Sequence, residues 1–469
     1  MFLAVLVAAP MSCGSTSATS LRFTVTKRTS RYVIVERRSQ RLVVYQGSSI
    51  VRVRGVPFFR VVKRARSYYL LARLPAPATD PISAIRRAEA GATVVIGKGT
   101  FSGNVTVPSG VTILGSGMHD SWLQGTVRFG SSSSFSDLRI GPGVAGACGL
   151  YNAANTTSGT SFTRCQFRGG GGVEVRNATA VWLGRAVSNL TFTDCNFECN
   201  LATPIASNSR TFANLYIQPD VVSPSVDNVL FKGCHFGVHN GVTDVSPWMN
   251  VEIWADQAAA TRTHGFRNIN FEDCVFEKSN STQLDYSGST LSSDNVTPND
   301  GYSHVTNCVF KGDGAGLAAY GHLETSVDFE QGVGYMTVDG CTFYRGAGLA
   351  VQTQRNDEQD HLAHCTITNN IIDQTNNVLN TGITRDAYST IEVNGHHNIV
   401  SGNTITSLPT DQRPGIEIKG SDNTVTGNAV TIATNGWFTI DIVAGANNNI
   451  VTGNTLNKPI RDKGTNNTL

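Results

Sequence analysis

One phrase constrains the fold of this chain more than any other feature. "NNIVTGNTL" at 448–456 follows two near-copies, "NIVSGNTI" at 398–405 and "NTVTGNAV" at 423–430. Each reads as an apolar residue, two small or polar ones, an Asn, a polar residue and an apolar one. With the Asn allowed to vary, the same grammar recurs upstream. It gives "ITNNII" (367–372), "VDGCTF" (338–343), "VTNCVF" (305–310), "FEDCVF" (271–276), "FKGCHF" (231–236), "FTDCNF" (192–197), "FTRCQF" (162–167) and a degenerate "FSDLRI" (135–140). The pivot therefore reads Leu138, Cys165, Cys195, Cys234, Cys274, Cys308, Cys341, Asn370, Asn403, Asn428 and Asn454, eleven turns of one unit. Neighbouring pivots lie between 25 residues apart (Asn403 to Asn428) and 40 (Cys234 to Cys274). Self-similarity at such a period is the mark of a stacked repeat.

A second phrase follows most pivots: "GVEV" (172–175), "NLYI" (214–217), "NVEI" (250–253), "VDFE" (327–330), "GLAV" (348–351), "TIEV" (390–393), "GIEI" (415–418) and "TIDI" (439–442). Apolar and polar residues alternate in each, the period of a half-buried strand. A unit of two or three short strands cannot bury its apolar face alone, and stacking along an axis buries it. The pattern predicts an all-β chain, a right-handed single-stranded parallel β-helix of about eleven coils. With strands about 4.8 Å apart, such a rod is on the order of 50 Å long. An Asn at the bend can hydrogen-bond to the same amide one coil away, which satisfies a buried polar group.

Six of the ten cysteines occupy the pivot in successive coils. Only Cys195 and Cys199 come near the spacing of a metal knuckle, with three residues between them. A column of buried, reduced thiols explains the pattern, since free Cys packs as a small hydrophobe; disulfides or a metal are the alternative.

The two ends of the chain differ in charge. Overall the net charge is +2, yet residues 1–79 hold fourteen Lys and Arg against one acid, Glu36. This segment lacks the repeat, and 31–74 reads as several strands with Arg on the exposed face. Residues 1–79 are therefore expected to form a small basic β-rich domain, residues 80–91 a linker and capping helix, and residues 92–469 the β-helix. The basic segment suits docking to an acidic partner such as a virion scaffold; a solvated face is the plainer alternative. Nucleic acid is not the expected partner, because aromatic platforms are not interleaved with the charges. "MFLAVLVAAPMSC" resembles the apolar core of a secretory signal, without a basic residue before it and with a small-residue site only near Ala18. No stretch is long enough to span a bilayer.

The phrases "GIEIKGSDNTVTGNAV" and "TIDIVAGANNNIVTGNTL" resemble the repeats of the pectin-lyase-like superfamily, and the resemblance covers roughly 92–460. That superfamily includes pectate lyases, polygalacturonases, mannuronan epimerases and phage tailspikes. The resemblance implies a polysaccharide partner lying along the sheet of strands like "GIEI", with catalytic acids projecting from it. A basic head joined to a long rod further resembles the plan of a virion-attached spike, which implies an extracellular or virion-associated protein and commonly a homotrimer. No "GDD" and "GHG" pair, no cluster of calcium-binding Asp with an Arg base and no "DPH" is present. Fold alone does not confer a reaction.

On that sheet the outward column is expected to read Glu174, Tyr216, Glu252, Asp328, Ala350, Glu392, Glu417 and Asp441. The next outward positions read Arg176, Gln218, Trp254, Glu330, Gln352, Asn394 and Lys419. "VDFEQG" places Asp328 and Glu330 on one face of one strand, about 7 Å apart at the backbone. That spacing suits a general acid and base around a glycosidic bond with water between them. "NVEIWADQ" presents Glu252, Trp254 and Asp256, a flat aromatic beside acids, and with Tyr216 these are the candidate sugar-binding residues. The plainer reading is a solvated acidic face, with or without a bound cation. No cofactor is expected, although a divalent cation such as calcium fits such acids. "RNDEQDHLAH" brings His361 and His364 near three acids at metal-like spacing, but a solvated loop explains it as well. "GHHN" at 395–398 reads as a turn.

Overall fold

The structure is a computed structural model. Its described residues are 77–142, 148–152, 156–169, 179–184, 186–198, 213–218, 226–237, 249–255, 265–277, 279, 282–288, 300–312, 325–330, 333–344, 351–353, 363–373, 389–406, 414–434 and 436–469, with the backbone alone for the strands of 24–73 and for Cys199. Glu174, Arg176, Asp256, Ala350, His361 and residues 1–18, singled out above, lie outside them.

Each rung of the rod has three short strands, and each strand pairs in parallel with its counterparts one rung above and below. The first sheet runs from Thr93–Val95 to Ile450–Thr452, the second from Gly99–Ser102 to Thr455–Leu456 and the third from Val105–Val107 to Ile460–Asp462. Thirteen strands stack along each path, so the architecture is the right-handed parallel β-helix expected. The sequence reading found eleven coils. The two it missed are the first two, whose corners near Gly97 and Gly115 carry neither Cys nor Asn. A short helix, Pro81–Arg86, covers the open end and buries Ile82 and Ile85 against the first rung. Asp80 caps it by accepting from the Ser83 N–H at 3.1 Å. The helix ends at Arg86, with Arg87 as its C-cap. Upstream, the strands between Thr24 and Arg73 form two three-stranded antiparallel sheets.

The corner before each pivot explains the grammar of the repeat. Asp137, Arg164, Asp194, Asp273, Asn307 and Asn369 there have φ between 51° and 59°, and the Gly residues at 233, 340, 402, 427 and 453 have φ between 62° and 67°. Gly, Asn and Asp enter this left-handed region at least cost, which is why "TG", "TN" or "TD" precedes the pivot so often.

Inside, two files of phenylalanine fill the rod. Phe135, Phe162, Phe192, Phe231 and Phe271 stack at 4.6–4.8 Å between ring centroids. Phe167, Phe197, Phe236, Phe276, Phe310 and Phe343 form the second file at 4.5–5.1 Å. Fully burying each such ring contributes about 1.5–3 kcal/mol.

The pivots behave as the sequence implies. All eight described cysteines are free and buried. Thiols from Cys165 to Cys341 donate to the carbonyl two residues earlier, as Cys195 does to Thr193 at 3.4 Å. From Cys234 on they also reach a carbonyl one rung below, Phe192 in the case of Cys234. In the second half, Asn370 Nδ2 donates to Asn403 Oδ1, Asn403 to Asn428 and Asn428 to Asn454, at 2.9–3.0 Å. A second Asn file, Asn398–Asn423–Asn449–Asn467, escaped the sequence reading.

Burial pushes the Cys148 thiol up to about 11 and that of Cys365 to about 12, and it raises Cys165, Cys234 and Cys308 as well. Thiol titration of the native protein should therefore find few reactive groups, and the unfolded, unreduced protein should expose nearly all ten. A marked shortfall on unfolding would mean disulfides instead.

Candidate active site on the third sheet

Register along the third sheet defines one outward column without gaps. In order it reads Arg128, Tyr151, Trp182 and Tyr216, then Glu252, Asp285, Asp328 and Gln352, then Glu392, Glu417, Asp441 and Arg461. Glu252, Asp328, Glu392, Glu417 and Asp441 stand where the alternation placed them. Gln352, expected in the next column, occupies this one, because the strand there is Val351–Thr353 rather than "GLAV". Tyr216 is in the column but only 2% exposed, flanked in register by Trp182 and Glu252. Its ring is thus no open sugar platform. Tyr151 and Trp182, both half-buried, pack with ring centroids 4.8 Å apart and planes tilted by 33°, and they are the more accessible aromatics of the column.

Asp285 is the residue that the sequence reading missed. Its strand, Thr282–Ser287 ("TQLDYS"), lies between those of Glu252 and Asp328. Leu284 and Tyr286 on either side point inward and are fully buried, the same alternation as "VDFE". The available signal was that alternation in "LDY", the same as in "VDF".

Four carboxylates meet here. Asp285 and Asp328 are register partners, with Glu252 one rung below Asp285. Glu330 pairs in register with Ser287, and Ser287 with Trp254. One carboxylate oxygen from each of Asp285, Asp328 and Glu330 lies within 4.8 Å of the other two. That is closer than the about 6.5–9.5 Å that leaves room for a water between an acid and a base, and near the about 5–5.5 Å of acid–nucleophile pairs.

Asp285 is 4% exposed, and its Oδ1 has no hydrogen-bond partner among the described residues. Burial, then the charges of Glu330, Asp328 and Glu252, hold its carboxyl well above the usual carboxylate range. It is therefore the group of this cluster that keeps a proton. The Ser287 hydroxyl stands 3.2 Å from Asp285 Oδ2 and 2.9 Å from Glu330 Oε2. A hydroxyl has one hydrogen. Donated to Glu330, it leaves the serine oxygen to accept from protonated Asp285, which makes a path from Asp285 through Ser287 to Glu330. Both Asp328 and Glu330 are half-buried, so the outer end of that path faces solvent.

The next rungs are quieter. Glu392, fully buried, accepts at Oε1 from Gln352 at 3.0 Å and from Asn394 at 2.9 Å. Lys419 Nζ lies 2.9 Å from the same Glu392 oxygen and 3.5 Å from Glu417 Oε2. Arg461 forks onto both oxygens of Asp441.

At the corner leading into the first sheet, Tyr302, Tyr335, His364 and His397 all have φ between 50° and 60°. Their rings stack at 4.7, 4.8 and 5.2 Å, with the Arg267 guanidinium 4.3 Å from the Tyr302 centroid. His364 is thereby a member of a ring stack. Among the described residues, the one group of three or more His, Cys, Asp or Glu side chains close enough to share an ion is the acid trio. No helix among them is long and apolar enough to cross a membrane.

No family model matches the chain, and no curated protein does. Several solved structures are similar. An alginate lyase from Paenibacillus sp. str. FPU-7 is 13% identical at a TM-score of 0.34, over 82% of this chain and 96% of that one. PfbA, a surface adhesin of Streptococcus pneumoniae, is 11% identical at 0.43, over 80% and 85%. The Dettilon tailspike protein is 12% identical at 0.42, over 80% of this chain and 61% of that one. At such identities and scores these likenesses concern the path of the backbone and carry no argument about chemistry.

Proposed function

We propose that this chain is a glycan-binding β-helix that recognises and cleaves a polysaccharide on its third sheet. The observation that carries the reading is the Asp285–Ser287–Glu330 path beside the half-buried Asp328. In this reading Asp285 stores the proton, Ser287 passes it and Glu330 delivers it to the leaving glycosidic oxygen. Asp328 faces the anomeric carbon as that carbon gains positive charge. Glu252 and Trp254, one rung below Asp285 and Ser287, hold the chain, and Tyr151 and Trp182 extend the same track. The wider role is that of a spike or tail-type protein, extracellular or virion-associated and trimeric. Residues 1–79 dock it to a virion scaffold while the rod meets a host surface polysaccharide; the change in charge and repeat at that boundary supports this plan.

A second reading rests on the closeness of the acid trio: a calcium ion held there would make the face an adhesin. One assay separates the two. The full-length protein is incubated with a panel of bacterial surface polysaccharides, with and without EDTA, and release of reducing ends and ultraviolet-absorbing unsaturated ends is followed. Release that survives EDTA supports cleavage. Binding without release favours the adhesin, and binding abolished by EDTA favours the ion.

A further inference from the structure

We infer that the glycan taken by the third sheet carries no carboxylates: it is an uncharged or amine-bearing chain, cut by hydrolysis. The inference rests on the reading of that sheet as the glycan site and narrows its substrate class.

The argument is a charge balance along one face. Glu252, Asp285, Asp328 and Glu330 occupy adjoining rungs, and Glu392, Glu417 and Asp441 continue the acid run. Among the described residues of the two outward columns, the cations are Arg128, Lys419, Arg461 and, on the last rung, the exposed Lys463; none stands on the rungs of Glu252, Asp285 and Asp328, and Lys419 and Arg461 are already paired with acids. Lys419 sits between Glu392 and Glu417. Arg461 is forked on Asp441 and lies 4.6 Å from the Phe438 ring centroid. Arg128 lies 5.9 Å from the Tyr151 centroid. A polyuronate places a carboxylate on every sugar, and its binding needs free cations at that spacing. Here each sugar carboxylate would meet protein carboxylates instead. A like-charge pair at 4 Å costs about 4 kcal/mol near a protein surface.

Two further observations point to a ligand of the opposite kind. Asp285 and Glu392 are both more than nine-tenths buried on this face, and each keeps one buried carboxylate oxygen without a hydrogen-bond partner among the described residues. An acceptor of that kind is satisfied by a hydroxyl or ammonium donor and not by another carboxylate. Upstream in the same column, Tyr151 and Trp182 offer apolar aromatic surface to a sugar ring.

Elimination beside a uronate needs that carboxylate neutralised while its neighbouring carbon loses a proton, and among the described residues of the two outward columns no cation stands on the rungs of the acid cluster to do this. Hydrolysis needs only what is present. The glycosidic C–O bond breaks, the leaving oxygen takes a proton, and water supplies the hydroxyl to the anomeric carbon and returns the proton.

The test uses the full-length protein at low ionic strength. Binding and cleavage are compared on a neutral polymer (dextran and a galactomannan), an amine-bearing one (chitosan) and a polyuronate (polygalacturonate), each with calcium or with EDTA. The expected result is binding of at least one neutral or amine-bearing polymer, with reducing ends released and no unsaturated ends, and polyuronate bound at least tenfold more weakly than that polymer. Glu417→Gln, which frees Lys419 from one of its two carboxylates, should narrow that gap. Polyuronate bound best, or unsaturated ends released from it with or without calcium, overturns this inference while leaving the glycan site standing. No binding of any class overturns both.

Discussion

Asp328→Asn and Glu330→Gln are each expected to lower glycan cleavage by about 10²–10⁴ while leaving the rod folded. Both side chains are half-buried on the outer face of the third sheet and contribute nothing to the phenylalanine files, so circular dichroism and the unfolding midpoint should move little. Asp285→Asn separates the proton from the fold more sharply. Because burial and neighbouring acids hold this carboxyl well above its usual range, the folded state favours the protonated form. The stabilisation this brings is complete below the unfolded-state value and is lost as pH rises through the folded-state value. Asn mimics the protonated acid without ionising. The variant should therefore match wild type at acidic pH and exceed it in stability at neutral and alkaline pH, while losing activity at every pH. Ser287→Ala should keep KM near that of wild type, lower kcat and displace the alkaline limb of the pH–rate profile, a signature that a packing role would not give. Full activity in all of these variants would place the reaction elsewhere on the rod.

Asn403→Leu is expected to be the most damaging single change in the carboxyl-terminal half. Asn403 is fully buried. Its Oδ1 accepts from the Asn370 N–H at 3.0 Å and from Asn370 Nδ2 at 2.9 Å, while its Nδ2 donates to the Ile367 carbonyl and to Asn428 Oδ1, both at 2.9 Å. Leucine is of similar size, so the space stays filled and the loss is polar. The Asn370 N–H and the Ile367 carbonyl each lose this partner, at about 1–3 kcal/mol for each buried group left unsatisfied. Urea unfolding should show a lower midpoint, and hydrogen exchange should show the rungs around 367–430 opening first, since each rung rests only on its neighbours. Ile399→Thr, four residues earlier at a 44% exposed position of the preceding strand, is the control and should stay within about 0.5 kcal/mol of wild type. Equal behaviour of the two variants would mean that the Asn file adds nothing to stability.

The rod was legible because its two periods are local. Alternation within three or four residues marks each strand, and the pivot returns whenever a corner must be turned. What resisted reading was anything that depends on where one rung sits against the next. Gln352 belongs beside Asp328, but the segment between their strands has no fixed length, so the alternation of "GLAV" alone put the register two residues out. Asp285 was hidden for a related reason: nothing in "TQLDYS" itself says that its alternation lines up with those of "NVEI" and "VDFE" on the neighbouring rungs. Tyr216 shows the limit from the other side. Alternation says which way a side chain leaves the backbone and cannot say what covers it. The acid pair Asp328 and Glu330 was visible because both lie on one strand. The path through Ser287 joins two strands 43 residues apart and needed the stack itself.

The pivot file also has a direction. Cys341 donates its backbone N–H to Asn370 Oδ1 at 2.8 Å, so a Cys corner is completed by an Asn corner on the following rung. The reverse order would offer an Asn amide only a sulfur, a weak acceptor. Cysteine corners therefore precede asparagine corners without a mismatch, and each Asn corner accepts another Asn corner after it. A gene that lengthens by copying one unit meets no such junction penalty at its 3′ end. The carboxyl-terminal units, with pivots Asn403, Asn428 and Asn454 at the closest spacing and in the most nearly identical wording, are the ones in which such copying would leave the rod sound.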